Sequence, residues 1–405
     1  MEQKPVISGL ICEFNPLHFG HAFLLSHMRK ESDVVICAMS GPFVQRGEAA
    51  LLSPWARAEM ALWQGADLVL MLPVSFAMSG AERFARGGVS LLSGVGVNTL
   101  YFGSECGHAE KLDELASFLL SPTFSSALRP FLAQGLSFAA ARTKAVQQVL
   151  GEDMAHFLLG PNNTLGIEYC KANRTLQAHL SLRTVSRRGA AHDEDSHDLT
   201  QFLSASQLRK RVAQGQSVTS LLPSTSASIF EREQQQGYLS FPGQMDQAIL
   251  SLLRRMDKAD FSRLPDCSEG IENRLYHAVQ SSGTLSQVWD QTKTKRYSLA
   301  RIRRITLAGF LGLYRDTLCE IPPFAFVLGA TPRGLSYMRN CNATLPWLLN
   351  HQQMEALSPS AKMVLDQERA AMDQYMLFQK VPRGCGLLDR HPFIKIQPPD
   401  LGCSI

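Results

Sequence analysis

Near its beginning the chain reads Glu13-Phe-Asn-Pro-Leu-His18-Phe-Gly20-His21, set between an apolar run at residues 6–12 and an amphipathic stretch that includes residues 24–30. An apolar strand feeding a helix through so short a turn commits the chain to a βα unit, and the pattern repeats. Further β-branched or apolar runs stand at residues 33–39, 67–72, 99–102 and 182–186, separated by helical stretches. One of these helices opens at Ser53-Pro54, a good N-cap followed by proline where a helix start leaves an amide unused. The first half is therefore expected to be a doubly wound, parallel-sheet α/β domain, whose ligand crevice lies at the carboxyl ends of the strands. Several strands end in glycine or serine, at Ser40-Gly41 and Gly103-Ser104.

The two imidazoles of the first turn flank a glycine where a helix N-terminus directs its free amides. That arrangement suits a triphosphate, with backbone donors and a histidine on either side. Gly20 lets the nucleotide approach the backbone, which a side chain would block.

Past residue 215 the composition shifts to Ser, Thr and Gln, and beyond residue 240 the readable segments are mainly helical. The expected division is 1–215, a linker 216–240, and a mainly α-helical 241–405. Of 40 basic and 36 acidic residues, 19 of each fall before Leu221, so the excess of four lies wholly in the second half, the better home for an anionic partner. There Lys295, Arg296, Arg301, Arg303 and Arg304 form a basic run without an acid. Such runs are often solvated faces, but here Tyr297 offers a ring for base stacking and the apolar stretch after Arg304 offers an anchor, which favours RNA. Nine scattered cysteines with no C-x-x-C pair suit a reducing cytoplasm rather than a disulfide framework or a zinc site. No apolar run approaches the length of a membrane span, and the N-terminus has no basic signal-like region, so secretion and membrane insertion are not expected.

The match extends beyond the H-x-G-H turn. The turn itself, Met39-Ser-Gly-Pro-Phe-Val-Gln-Arg-Gly-Glu48, Phe102-Gly-Ser-Glu105, Pro161-Asn-Asn-Thr-Leu-Gly-Ile-Glu-Tyr169, Arg187-Arg-Gly-Ala190, Ser204-Ala-Ser206, Thr294-Lys-Arg-Tyr297, Arg301-Ile-Arg-Arg304 and Asp373-Gln-Tyr375 together resemble, in order, the tRNA(Met) cytidine acetate ligase family. The resemblance implies a Rossmann-like nucleotidylyltransferase domain joined to a helical, tRNA-contacting domain. It implies a ligase that uses ATP to activate acetate as acetyl-adenylate and acetylates N4 of the wobble cytidine of elongator tRNA(Met). By position, it places ATP on Ile11, Cys12, Glu13, Phe14, Asn15, Pro16, Leu17, His18, Phe19, Gly20, His21, Ala22, Phe23 and Leu24, completed by Gly103, Asn162 and the pair Arg187 and Arg188. His18 and His21 carry the catalytic role, and Mg²⁺ is expected with ATP rather than at a dedicated protein site. Asn163 beside Asn162, and a run after Arg187 one residue shorter than usual, leave open which asparagine and which arginine meet the nucleotide.

Gln45-Arg46-Gly47 is either a substrate loop or a solvated turn, and Ser104-Glu105 either meets ribose or caps the following helix. Two other readings compete with the ligase: a small-molecule nucleotidylyltransferase, which gives the basic second half no role, and a non-catalytic, nucleotide-regulated RNA-binding module.

Overall fold

The computed structural model describes residues 4–186 and 203–397. Its strands, in chain order, are β1 (Ile7–Cys12), β2 (Val34–Ser40), β3 (Phe43–Val44), β4 (Glu48–Ala49), β5 (Leu68–Leu72), β6 (Thr99–Ser104), β7 (Ser181–Ser186), β8 (Ala325–Ala330), β9 (Trp347–Leu348) and β10 (Ile394–Lys395). The main sheet runs β10-β8-β5-β2-β1-β6-β7, with β9 also on β8, while β3 and β4 form a separate hairpin. From β5 across to β7 all neighbours are parallel, and β8 joins β5 antiparallel. Every residue of β1, β2 and β5 is buried, which is why these strands read as unbroken apolar runs instead of alternating ones.

The two faces of the sheet feed different cores. Ile11, Ile36, Ala38 and Leu70 pack beneath the helices Ala81–Gly94 and Pro161–Thr175. The first of these closes on β1 through Gly88, where a Cβ would stand 2.5 Å from Ile11. On the opposite face Leu10, Cys37, Met39 and Met71 share one core with Ile302, Ile305, Leu365 and Met372 from the second half. The stretch 216–240 contributes to that same core through Ile229 and Phe230 of the helix Ser224–Gln235. Residues 241–397 are mainly helical, as their periodicity suggests, yet they also return β8, β9 and β10 to the sheet. Among the described residues no helix is long and apolar enough to cross a membrane.

Candidate active site

The sheet order reverses between β1 and β6: β2 and β5 lie to one side of β1, β6 and β7 to the other. At such a switch point the loops after the two central strands part and leave a crevice at their carboxyl ends. The H-x-G-H turn follows β1 and lies at this place. Phe14, buried in a left-handed conformation at φ 47°, sets its ring edge-on to His21 at 5.2 Å. Asn15 Oδ1 accepts the buried Leu51 N–H at 2.8 Å and so fixes the loop to the chain after the hairpin.

His18 is the N-cap of the helix Phe19–Glu31. Its Nδ1 accepts the Gly20 N–H at 3.1 Å, while its own N–H is donated to His21 Nδ1 at 3.4 Å, and the two rings stack at 3.8 Å. Because both Nδ1 atoms accept from backbone, each neutral ring carries its proton on Nε2. The motif thus builds a pair of parallel imidazole donors at the positive end of a helix whose first turn holds no acid. A Cβ at position 20 would come within 3.0 Å of His18 Cε1, so glycine also preserves the ring position.

Across the crevice, after β6, Glu105 caps the helix Pro161–Thr175. Its carboxylate accepts the N–H of Asn162 at 3.0 Å, the N–H of Asn163 at 2.6 Å and Asn162 Nδ2 at 2.6 Å. Burial works against the charged carboxylate, but these donors outweigh it and hold the group below its ordinary pKa. Asn163 Oδ1 in return accepts the N–H groups of Glu105 at 3.0 Å and Cys106 at 3.2 Å. Asn163 is therefore buried and spent on the turn, whereas Asn162 lies at its outer side. Ser104 Oγ accepts from Gly107 N at 2.9 Å within the turn, and the following helix Ala109–Leu119 has no side-chain cap, so the expectation that Ser104-Glu105 caps the following helix is corrected: Glu105 caps the helix Pro161–Thr175 instead. Gly103 is in β6, paired with Val185. Arg187 and Arg188 follow directly on β7 and lie outside the described residues.

Arg57 was not singled out in the sequence, yet it holds the strand ends together. Its side chain is fully buried. Nε donates to Leu52 O at 3.0 Å, Nη1 to Glu13 O at 2.6 Å and Ser40 O at 3.0 Å, and Nη2 to Gly41 O, which ties the turn after β1 to the end of β2. Burial lowers its pKa to about 10 against the attraction of nearby Glu13. Burial likewise raises the Glu13 carboxyl, which keeps a 2.8 Å hydrogen bond from Gln45 N and faces Arg209, Arg57 and Arg46. The available signal was a single arginine within the otherwise apolar stretch Pro54-Trp-Ala-Arg57-Ala58.

The hairpin tip Gln45-Arg46-Gly47 presses onto the basic helix Leu299–Leu311. Gly47 has φ +70°, and a Cβ there would stand 2.5 Å from Arg304 N. Three of the five residues expected to bind RNA make internal pairs. Arg303 pairs with Glu48; Arg304 bonds Asp266 Oδ2 at 2.8 Å and Gln45 O at 3.2 Å; Arg301 bonds Asp266 O at 3.0 Å and Glu269 Oε2 at 3.1 Å. Lys295 and Arg296 are exposed, with no ion-pair partner among the described residues. The expectation that Tyr297 stacks on a base is corrected. Its ring is buried, its hydroxyl donates to Glu269 O at 2.5 Å, and Arg301 lies over it at 5.5 Å.

Among the described residues no cluster of three or more His, Cys, Asp or Glu is placed to hold a metal ion. The pattern of the HIGH Nucleotidyl Transferase family matches residues 6–384. The tRNA(Met) cytidine acetate ligase of Acetivibrio thermocellus is 33% identical, over 93% of this chain and 96% of its own. That of Caldanaerobacter subterraneus subsp. tengcongensis is 35% identical, over 96% of this chain and 99% of its own. The crystal structure of Thermotoga maritima TmcAL bound with alpha-thio ATP superposes with a TM-score of 0.89 at 29% identity, covering 97% of this chain and 100% of that one. With a matching turn, a matching fold and relatives aligned along nearly their whole length, the chain belongs to the tRNA(Met) cytidine acetate ligase family of HIGH nucleotidyl transferases.

Proposed function

We propose that the chain is an ATP-dependent ligase that activates acetate as acetyl-adenylate and transfers the acetyl group to N4 of the wobble cytidine of elongator tRNA(Met). The observation that supports this most is the stacked His18–His21 cap at the β1/β6 switch point, in a chain that superposes throughout on a relative crystallised with an ATP analogue.

In the first step an acetate oxygen bonds the α-phosphorus and the bond to the leaving pyrophosphate breaks. In the second, the cytidine N4 attacks the acetyl carbonyl, AMP leaves, and the amine gives up a proton. Neither step needs a protein nucleophile. The chain has to hold the reactants in line and stabilise charge on the phosphoryl oxygens. His18 and His21 do this through Nε2–H and the helix end, with tautomers preset by their backbone bonds. The segment Ile11–Leu24, with Gly103 and Asn162, forms the nucleotide cradle, and Arg187 or Arg188 clamps phosphate oxygens. The described residues offer Mg²⁺ no carboxylate cage. Mg²⁺ bound with ATP would neutralise charge on the phosphates, held mainly by the triphosphate itself.

Residues 1–215 serve adenylation, and 241–405 supply the RNA-facing surface through exposed Lys295 and Arg296, with Arg301, Arg303 and Arg304 anchoring the helix that presents them. A cytoplasmic location follows from the tRNA acceptor. Isotopically labelled acetate, ATP, Mg²⁺ and total tRNA, followed by nucleoside mass spectrometry, test the reading through ATP-dependent label in N4-acetylcytidine.

A further inference from the structure

A cavity of about 340 Å³ lies between the hairpin tip, the helix Ala205–Ala213 and the helices of the second half. Leu285, Trp289, Leu307 and Phe378 give it apolar walls. A mere packing gap would keep its polar neighbours paired, since buried polar groups nearly always find partners. Here two are not. The Asp246 carboxyl, which lines the cavity, has no hydrogen bond or ion pair among the described residues. The Nε of Arg303 is buried without a partner, although the same guanidinium pairs with Glu48 and covers the Trp289 ring at 4.8 Å. Burial raises the Asp246 carboxyl while Arg303 draws it back down. An acceptor on Asp246 and an unpaired donor on Arg303 thus stand beside the Trp289 ring. Arg46 and Lys210 stand exposed at the rim. Arg209, another lining residue, donates Nη1 to Asn15 O at 2.9 Å, so the cavity borders the loop that leads to His18.

We propose that this cavity receives one unstacked base of the RNA acceptor whose Watson–Crick edge carries an amine beside an unprotonated ring nitrogen, that is, cytosine or adenine. Its amine donates to Asp246, its ring nitrogen accepts from Arg303 Nε in the plane of the guanidinium, its face lies on the Trp289 ring, and its phosphates meet Arg46 and Lys210. Uracil presents the reverse order of donor and acceptor at this edge, so the cavity discriminates against it. The inference rests on the reading of the chain as acting on RNA.

The test uses the full chain and an RNA stem-loop whose loop cytidine is replaced by the fluorescent analogue pyrrolocytosine. Stacking in the cavity quenches the probe. Trp289→Ala weakens loop binding about tenfold, as loss of one base–aromatic stack does, and Trp289→Phe restores most of it. Asp246→Asn, whose amide can turn to donate or accept, lowers the preference for a cytidine over a uridine loop by about tenfold without changing the melting temperature. If the alanine variant fails to fold, the phenylalanine and asparagine variants carry the test.

An unquenched probe with wild-type protein, or a cytidine-to-uridine ratio unmoved by Asp246→Asn, overturns the inference. Acetate-dependent ATP–pyrophosphate exchange, measured without RNA, keeps it apart from the ligase reading. Exchange without base seating sinks the cavity proposal alone, and base seating without exchange sinks the ligase and leaves the cavity standing.

Discussion

Glu368, on the helix Pro359–Met376, is 1% exposed beneath the ends of β2 and β5. Its Oε1 accepts the Val74 N–H at 2.5 Å, and a Cβ at Gly41 would stand 3.7 Å from Oε2, which has no hydrogen bond among the described residues. Burial raises its pKa from 4.5 to about 8 despite the Val74 donor, so the folded protein keeps this carboxyl neutral at pH 7. Between those two values the folded chain holds a proton that the unfolded chain has released, and stability falls as pH rises. At about 1.4 kcal/mol per pH unit, tapering at both ends, the loss between pH 5.5 and 8.5 is about 3 kcal/mol. Glu368→Gln keeps the shape and the acceptor for Val74 but removes the titration. In urea denaturation its unfolding free energy, relative to wild type, should therefore be about 3 kcal/mol higher at pH 8.5 than the same difference at pH 5.5. A difference that does not change with pH would show that the folded carboxyl is already ionised at pH 5.5, and the burial argument would be refuted.

His21→Ala removes one of the two stacked donors and should reduce acetate-dependent ATP–pyrophosphate exchange by at least about a hundredfold, the usual scale for a lost group aimed at developing charge. RNA affinity in a filter-binding assay should change little. Arg57→Met leaves the carbonyls of Glu13, Ser40, Gly41 and Leu52 without their buried donor, so chemical denaturation should show a loss of about 3 kcal/mol or more. A loss below 1 kcal/mol would mean that water or another group replaces the guanidinium. Replacing Lys295 and Arg296 together by alanine should lower tRNA affinity and make the dependence of log affinity on log salt shallower by about two, with no change in melting temperature. An unchanged salt slope would return both residues to the role of solvated surface.

The parallel strands were legible because burial on both faces leaves an unbroken apolar run: β1 and β5 differ from their sequence-based bounds by one residue at the start, and β2 by one residue at each end. β8, Ala325-Phe-Val-Leu-Gly-Ala330, carries the same signature but sits among helices. Nothing local says that it pairs antiparallel with β5, more than 250 residues earlier. The same distance hid the state of the basic run. A row of arginines looks alike whether it faces water or, as Arg303, Arg304 and Arg301 do, meets Glu48, Asp266 and Glu269 brought in from other elements. The histidine pair was visible because its cap is made within four residues. Arg57 was not, because its work consists of reaching carbonyls at the ends of two other strands and becomes evident only once the sheet has formed.

The adenylation claim is tested most directly by incubating the purified chain with labelled acetate, ATP, Mg²⁺ and total tRNA, then digesting the RNA and analysing its nucleosides by mass spectrometry. The account predicts label in N4-acetylcytidine that requires ATP and does not arise from acetyl-CoA alone, with AMP and pyrophosphate formed in step. ATP left unconsumed in the presence of acetate and tRNA would contradict it.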